Sequence, residues 1–298
     1  MFIRFFRITL ALTLPFSTTA LFVQAANPPK MEEQKESLRQ DIKPAEIPKN
    51  SAVVVRFLDK TQDGLKVAET SHFRILHDQS KPLVEKVGQV AEETRDSLQR
   101  KWFGDLGTDW DGRCSIYLHP DRDNYAKDTK MKNTLGHMST LDLGGQILRS
   151  IHLPCKEPSQ VIDVLPHEVS HSVMAVRFQG RTPRWADEGM AMLAETPSSY
   201  KDYLNRLPKY RKTDSLFALE VLLQTNEADH YNTLEYYAQS TSLVKYLTEL
   251  KGPQAFTGFL KTFIAKGAEK ALKQHYEIAD YAALEKRWQA YAFPTKNK

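Results

Sequence analysis

The sequence predicts an α+β fold, with an N-terminal mixed α/β lobe that ends in a long apolar helix and an all-helical C-terminal lobe behind it. Three observations carry this. Alternating and β-branched runs are confined to the stretch between Ser51 and Pro154. Beyond Gly180 they nearly vanish, and segments with apolar residues at 3.6-residue spacing take over. The chain's 298 residues, 41% of them hydrophobic, suffice for one large core or two small ones. No internal repeat points to a solenoid.

The chain opens with MFIRFFRITLALTLPFSTTALFVQA, a basic start (Arg4, Arg7), an apolar run from Ile8 to Val23, and the small-residue site Val23-Gln24-Ala25. This pattern reads as a secretory signal peptide, residues 1–25, cut after Ala25. The apolar run contains Pro15 and several hydroxyl residues and is short for a membrane span, which needs about 20 apolar residues. The expected location is therefore periplasmic or extracellular, with no membrane span after cleavage. Residues 26–50 combine charge and Pro with almost no large apolar side chains, and read as a disordered linker.

From Ser51 the pattern becomes that of the first lobe, residues 51–179. SAVVVRFLDK, a TQDG turn and SHFRILHD read as strands, with Phe73 and Ile75 on one face. Leu83, Val84, Val87, Val90, Ala91 and Leu98 then mark the apolar stripe of a helix. CSIYLHP and GGQILRSIHLP are two further strands. In the second lobe, residues 180–298, the helical segments are WADEGMAMLAE, SLFALEVLLQ, TLEYYAQSTSLVKYLTEL, PQAFTGFLKTFIAK and YAALEKRWQAY.

Charge and cysteine content narrow the function classes. Signal cleavage removes Arg4 and Arg7 and no acid, so the formal net charge of +4 falls by two. That excludes nucleic acid as an expected partner, and the basic run Lys201 to Lys212 reads as a solvated helix face. Cys114 and Cys155 are the only cysteines. In an exported chain they are most simply a disulfide, worth about 4 kcal/mol by chain-entropy reasoning, if their strands run antiparallel. Two buried free thiols are the alternative, and a role as metal ligands is weaker because neither sits at ligand spacing from the histidines.

The segment VLPHEVSHSVM, residues 164–174, carries the chemistry. On a helix, His167 and His171 lie one turn apart and can present their imidazoles to one ion. Glu168 lies about 100° round from His167, placed to take a proton from a water rather than to bind the ion. This is the arrangement that suits a zinc hydrolase. Val161, Ile162, Val164, Leu165, Val169, Val173 and Val176 surround the segment, so the helix should be buried. Two core histidines without a metal would leave Glu168 buried at a cost of several kcal/mol. Pro166 cannot donate to the carbonyl of Ile162, and so either starts this helix or bends it.

A catalytic zinc takes three protein ligands, and RWADEGMAMLAE offers Asp187, Glu188 and Glu195 as the third. HExxH followed by Trp185-Ala186-Asp187-Glu188-Gly189 resembles the gluzincin metallopeptidases, the peptidase MA-like families related to thermolysin and aminopeptidase N. The resemblance implies that Glu188 is the third ligand of one Zn²⁺ per chain, and leaves Asp187 and Glu195 beside or outside the site. It extends with falling specificity through ETSHFRILHD, RCSIYLHP, GHMST, YAQSTSLVKYL and ALKQHY to LEKRW, roughly residues 65–292, as in a family of exported bacterial proteins. It departs from that clan in one respect: only 16 residues separate His171 from Glu188, so Gly180 and Pro183 must make a tight turn. Gly189 would let two helices approach closely.

The resemblance further implies a Tyr or His that stabilises developing negative charge, for which Tyr237 and His230 are the candidates. It also implies that GHMST forms a cleft-edge strand that binds an extended peptide by backbone pairing, with His137 facing substrate or structural. The activity so implied is hydrolysis of a peptide or protein substrate, with His167, His171 and Glu188 on zinc and Glu168 as general base. Two rival readings stay open on the residues alone: a non-catalytic peptide- or envelope-binding protein on the same scaffold, and a zinc hydrolase of a non-peptide amide.

Overall fold

A computed structural model describes residues 53–294 apart from 108, 109, 111, 133, 143, 145, 146 and 226–232. The expected signal peptide, the expected linker and His230 lie outside the described residues. The elements run β1 (Arg56–Gln62), β2 (Leu65–Glu69), β3 (Phe73–His77), α1 (Lys81–Phe103), β4 (Cys114–His119), α2 (Arg122–Thr129), β5 (His137–Asp142), β6 (Ile147–Pro154) and α3 (Pro158–Arg177). Helices then follow as α4 (Arg184–Met192), α5 (Pro197–Leu204), α6 (Leu207–Lys212), α7 (Leu219–Gln224), α8 (Leu234–Lys251), α9 (Pro253–Lys266), α10 (Ala268–Tyr276) and α11 (Tyr281–Ala292). The fold is mixed α/β in its N-terminal part and helical after it, as the hydrophobic periodicity implies.

Six strands form one sheet in the order β1-β2-β3-β4-β6-β5. β1, β2 and β3 form an antiparallel meander. Asp63 and Gly64 turn its first hairpin, both at positive φ (53° and 79°), the pairing that a two-residue turn between twisted strands favours. β3, β4 and β6 are mutually parallel. Parallel neighbours need a long crossover, and the 23-residue α1 supplies the one between β3 and β4. That helix ends where Gly104 takes the left-handed conformation and its N–H bonds the carbonyl of Arg100. β5 returns antiparallel to β6 and is the outermost strand, so the GHMST segment does form a sheet edge.

Alternation along the strands divides the sheet into two faces. Phe73, Ile75, Ile116, Leu118, Ile151 and Leu153 are fully buried in one core with Val84, Val87 and Ala91 of α1 and Val161, Leu165 and Val169 of α3. The same core continues into the helical region through Trp185, which sits against Phe256, Phe259 and Phe263. Thr257 ties the two parts together by donating to the carbonyl of Trp102. The helix bearing the histidines is thus held between the sheet and the later helices, which fixes its side chains against rotation.

The expected disulfide is corrected. Cys114 and Cys155 are both buried and both free. Their strands are parallel, not antiparallel: Cys114 begins β4, whereas Cys155 follows the end of β6. The two thiols therefore sit at opposite ends of the sheet, roughly 20 Å apart at the rise of a strand. Burial pushes the Cys114 thiol up to about 11, against a weaker opposing bond to Ser172, and the Cys155 thiol up to about 12.

Candidate metal centre

α3 runs unbroken from Pro158 to Arg177, so Pro166 lies inside the helix and does not start it. It removes one backbone donor in the turn just before His167. The helix ends with Gln179 and Gly180 both at positive φ (54° and 68°), and Gly180 donates back to the carbonyl of Ala175. Six residues, 178–183, then suffice to reverse the chain before α4. This is the tight turn that the short spacing between His171 and Glu188 requires.

α4 lies beside α3 and brings Glu188 to the two histidines. One ligand atom from each of His167, His171 and Glu188 lies within 4.8 Å of the other two. Glu188 Oε2 stands 3.6 Å from His167 Nε2 and 3.7 Å from His171 Nε2. Those distances are too long for hydrogen bonds, and Oε2 is buried with no hydrogen-bond partner. A buried carboxylate oxygen with nothing to accept from is costly. A cation among the three atoms removes that cost, and two imidazole nitrogens with one carboxylate oxygen form a donor set that suits zinc. The residues present fit a metal ion.

The far side of each imidazole is also tied. His167 Nδ1 is 2.8 Å from Glu195 Oε1, and His171 Nδ1 is 2.9 Å from Asp187 Oδ2. Each carboxylate holds its ring in the tautomer that leaves Nε2 free for a ligand and raises its basicity. Ser199 donates in turn to the other oxygen of Glu195. Arg184, one turn before Glu188, approaches Glu188 Oε1 at 3.4 Å and lies over the ring of Tyr236. Of the two places left open for Asp187, beside the site or outside it, the structure takes the first: it holds a ligand. Glu195 lies three residues past the end of α4, in the turn before α5, so helical spacing from Glu188 gave no signal for it.

Gly189 makes a close approach of two helices possible. A Cβ there would come within 2.5 Å of Val244 Cγ2 and 2.7 Å of the Ser240 carbonyl oxygen. The close partner of α4 at this point is therefore α8. Contact with α8 also puts Tyr237 near the site. Burial first, then the charge of Glu188, pushes its phenol above the ordinary range; Arg184 opposes this, and Glu168 and Tyr203 add to it. Its ring packs edge-on against Tyr203.

Among the protein's own side chains the charges compensate one another. Burial opposes the imidazolium form of His167, but Glu188 and Glu195 outweigh it and raise its pKa well above the ordinary value. His171 is likewise disfavoured by burial and yet raised to about 9 by Asp187 and Glu188. Glu188, raised by burial, is brought down to about 2 by His167, His171 and Arg184. Glu168 is buried beside them, and its pKa is raised, by burial first; the two imidazoles act against the shift and Glu188 and Asp187 add to it. That is the direction a general base needs to work near neutral pH.

β5 begins close to this centre. Gly136 precedes it, and a Cβ there would meet Leu153 Cδ2 at 2.6 Å and Val164 Cγ1, on α3 just before His167, at 3.2 Å. His137 faces Tyr125 and His152 and not the metal set. Residues 158–293 match the family model of the Peptidase MA superfamily, a span that contains α3, α4 and the three metal-competent side chains. A search of curated proteins finds no match.

Proposed function

We propose that this chain, whose residues 158–293 match the family model of the Peptidase MA superfamily, is an exported zinc-dependent metallopeptidase. The convergence of His167, His171 and Glu188, with Glu188 Oε2 left unpartnered, carries that reading. These three residues would hold one Zn²⁺ per chain. A bound zinc ion would supply a Lewis acid that lowers the pKa of water and polarises a carbonyl.

The protein's own residues supply the rest. Glu168, buried and with a raised pKa, takes the proton of the attacking water at its carboxylate and returns it to the departing amine. Tyr237, within electrostatic reach of Glu188 and Glu168, donates its hydroxyl hydrogen to the oxygen on which negative charge builds. The open edge of β5 receives the substrate as an added strand, so main-chain bonds hold the peptide in register. Export rests on the pattern of residues 1–25. No helix among the described residues is long and apolar enough to cross a membrane.

The test is metal content together with turnover of an unbiased peptide library. Purified protein is expected to carry about one zinc per chain. Glu168→Gln is expected to keep the metal and lose about 10²-fold or more of the cleavage. A folded protein that binds no zinc overturns the metal site, and cleavage that survives Glu168→Gln overturns the role of Glu168.

A further inference from the structure

The outer face of the sheet carries a second cluster of histidines that the metal centre does not use. His137, His152 and Tyr117 occupy directly paired positions on β5, β6 and β4. Their rings stack in a row: Tyr117 on His152 at 4.6 Å and 1°, and His152 on His137 at 4.9 Å and 8°. His119 lies behind them, with Nε2 3.0 Å from His152 Nδ1 and Nδ1 3.2 Å from Asp128 Oδ2. His152 Nε2 reaches Ser150 Oγ at 3.3 Å, and Ser150 bonds Ser139 on the edge strand. Tyr125 of α2 bonds His137 Nδ1 at 2.9 Å and Thr134 at 2.6 Å. These imidazoles do not gather their nitrogens as a ligand set does; among the described residues only His167, His171 and Glu188 do so.

We propose that this ring ladder is a proton-operated latch that seats the edge strand β5 on the sheet while neutral and loosens it on acidification. Three rungs join β4, β6 and β5 side chain to side chain, and among the described residues β5 has no other strand neighbour. The surrounding charges are few. Asp128 and Tyr125 face the ladder from α2, and Tyr117 from β4. Asp63 accepts from the Tyr117 hydroxyl, with Arg74 near it, while Arg122 and Glu168 act on Tyr125. Among the described residues Asp128 is the one carboxylate within bonding distance of a ladder imidazole, and it meets His119. A first proton can therefore rest on His119, but a proton on His152 or His137 faces another imidazole with no counter-charge in contact.

The direction of titration agrees. Burial lowers the pKa of His119, with Asp128 acting against it, and burial and then His119 lower that of His137. Burial, then His137 and His119, bring His152 down to about 4. A depressed value means that the seated strand is favoured above the ordinary histidine pKa and that this advantage drains away as pH falls towards the lower one. For His152 alone, taking 6.5 for the released state, the seat weakens up to about thirtyfold between pH 7.5 and 5.

The latch is tested without turnover, independently of the peptidase reading. Hydrogen–deuterium exchange of the β5 amides is followed from pH 7.5 to 5 in the zinc-loaded protein and expressed as protection factors, which removes the intrinsic pH dependence of exchange. Protection in β5 is expected to fall by at least about tenfold while α1 amides hold. His137→Phe, which keeps a stacked ring and cannot titrate, is expected to keep more β5 protection at pH 5 than the parent, and His152→Gln to lose protection at both pH values. Protection of β5 that is flat with pH overturns the latch, and so does an identical fall in parent and His137→Phe. A simultaneous loss in β5 and α1 also overturns it, since that is global unfolding.

Discussion

Removing Glu195 is the most informative single perturbation of the metal centre, because it touches no ligand atom. Its Oε1 lies 2.8 Å from His167 Nδ1, with side-chain exposures of 16% and 15%, so water replaces the bond poorly. A hydrogen bond from a largely buried charged group contributes about 1.5–3 kcal/mol. At about 1.4 kcal/mol per tenfold, Glu195→Ala should weaken zinc binding by about 10- to 100-fold, the range for partners that orient a metal-bound histidine. Glu195→Gln keeps an acceptor but loses the charge, and should fall between Glu195→Ala and the parent. Asp187→Ala should weaken binding through His171 by less, since Asp187 is more exposed, at 29%. Zinc affinity is measured by competition with a chromophoric chelator at fixed pH, with circular dichroism confirming the fold. A well-folded Glu195→Ala protein that binds zinc within twofold of the parent refutes the orienting role.

Other consequences can be checked on the same protein. Gly189→Ala must push Val244 and the Ser240 carbonyl aside, and should cost about 1–3 kcal/mol in chemical denaturation; an unchanged midpoint contradicts the close packing of α4 on α8. Both thiols should stay unreactive to an aromatic disulfide reagent until the chain is unfolded, and reductant should leave Tm unchanged, because Cys114 and Cys155 are buried, free and held above the ordinary thiol range. His171 in the metal-free fold titrates near 9, above its unfolded value, so the stability it contributes is complete below about 6.5 and is lost as pH rises through 9. Chelated protein should therefore lose Tm across that window and zinc-loaded protein should not; parallel curves for the two forms count against the charge-coupled cluster.

The parts of the fold legible in the sequence are those set by local periodicity. α1 was marked by Leu83 through Leu98, and Phe73 and Ile75 do share the buried face of β3. What periodicity does not encode is which strands become neighbours. CSIYLHP and GGQILRSIHLP were recognisable as strands, yet nothing local specifies that they run parallel with β5 returning outside them. The supposed disulfide failed on that point alone, because a pairing of cysteines is a statement about strand direction. The histidine ladder was hidden for the same reason: Tyr117, His137 and His152 are up to 35 positions apart in the chain and meet only through register.

The metal centre divides along the same line. His167 and His171 are one helical turn apart, so their cooperation is readable from sequence, whereas Glu188 depended on resemblance. That the sequence left Asp187 either beside the site or outside it has a geometric cause. Neighbouring residues on α4 diverge by about 100°, which suggests that only one of Asp187 and Glu188 can serve the site. That inference treats a histidine as a point, but an imidazole has two nitrogens on different edges. Glu188 approaches both rings from the Nε2 side, while Asp187 reaches Nδ1 of His171 and Glu195 reaches Nδ1 of His167. Three carboxylates at positions 187, 188 and 195 thus complete one centre from two directions: divergence along α4 separates Asp187 from Glu188, and the turn after α4 brings Glu195 to the other ring. The arrangement requires that His167 and His171 respond separately to Asp187 and Glu195, so that each substitution alters the environment of its own ring first.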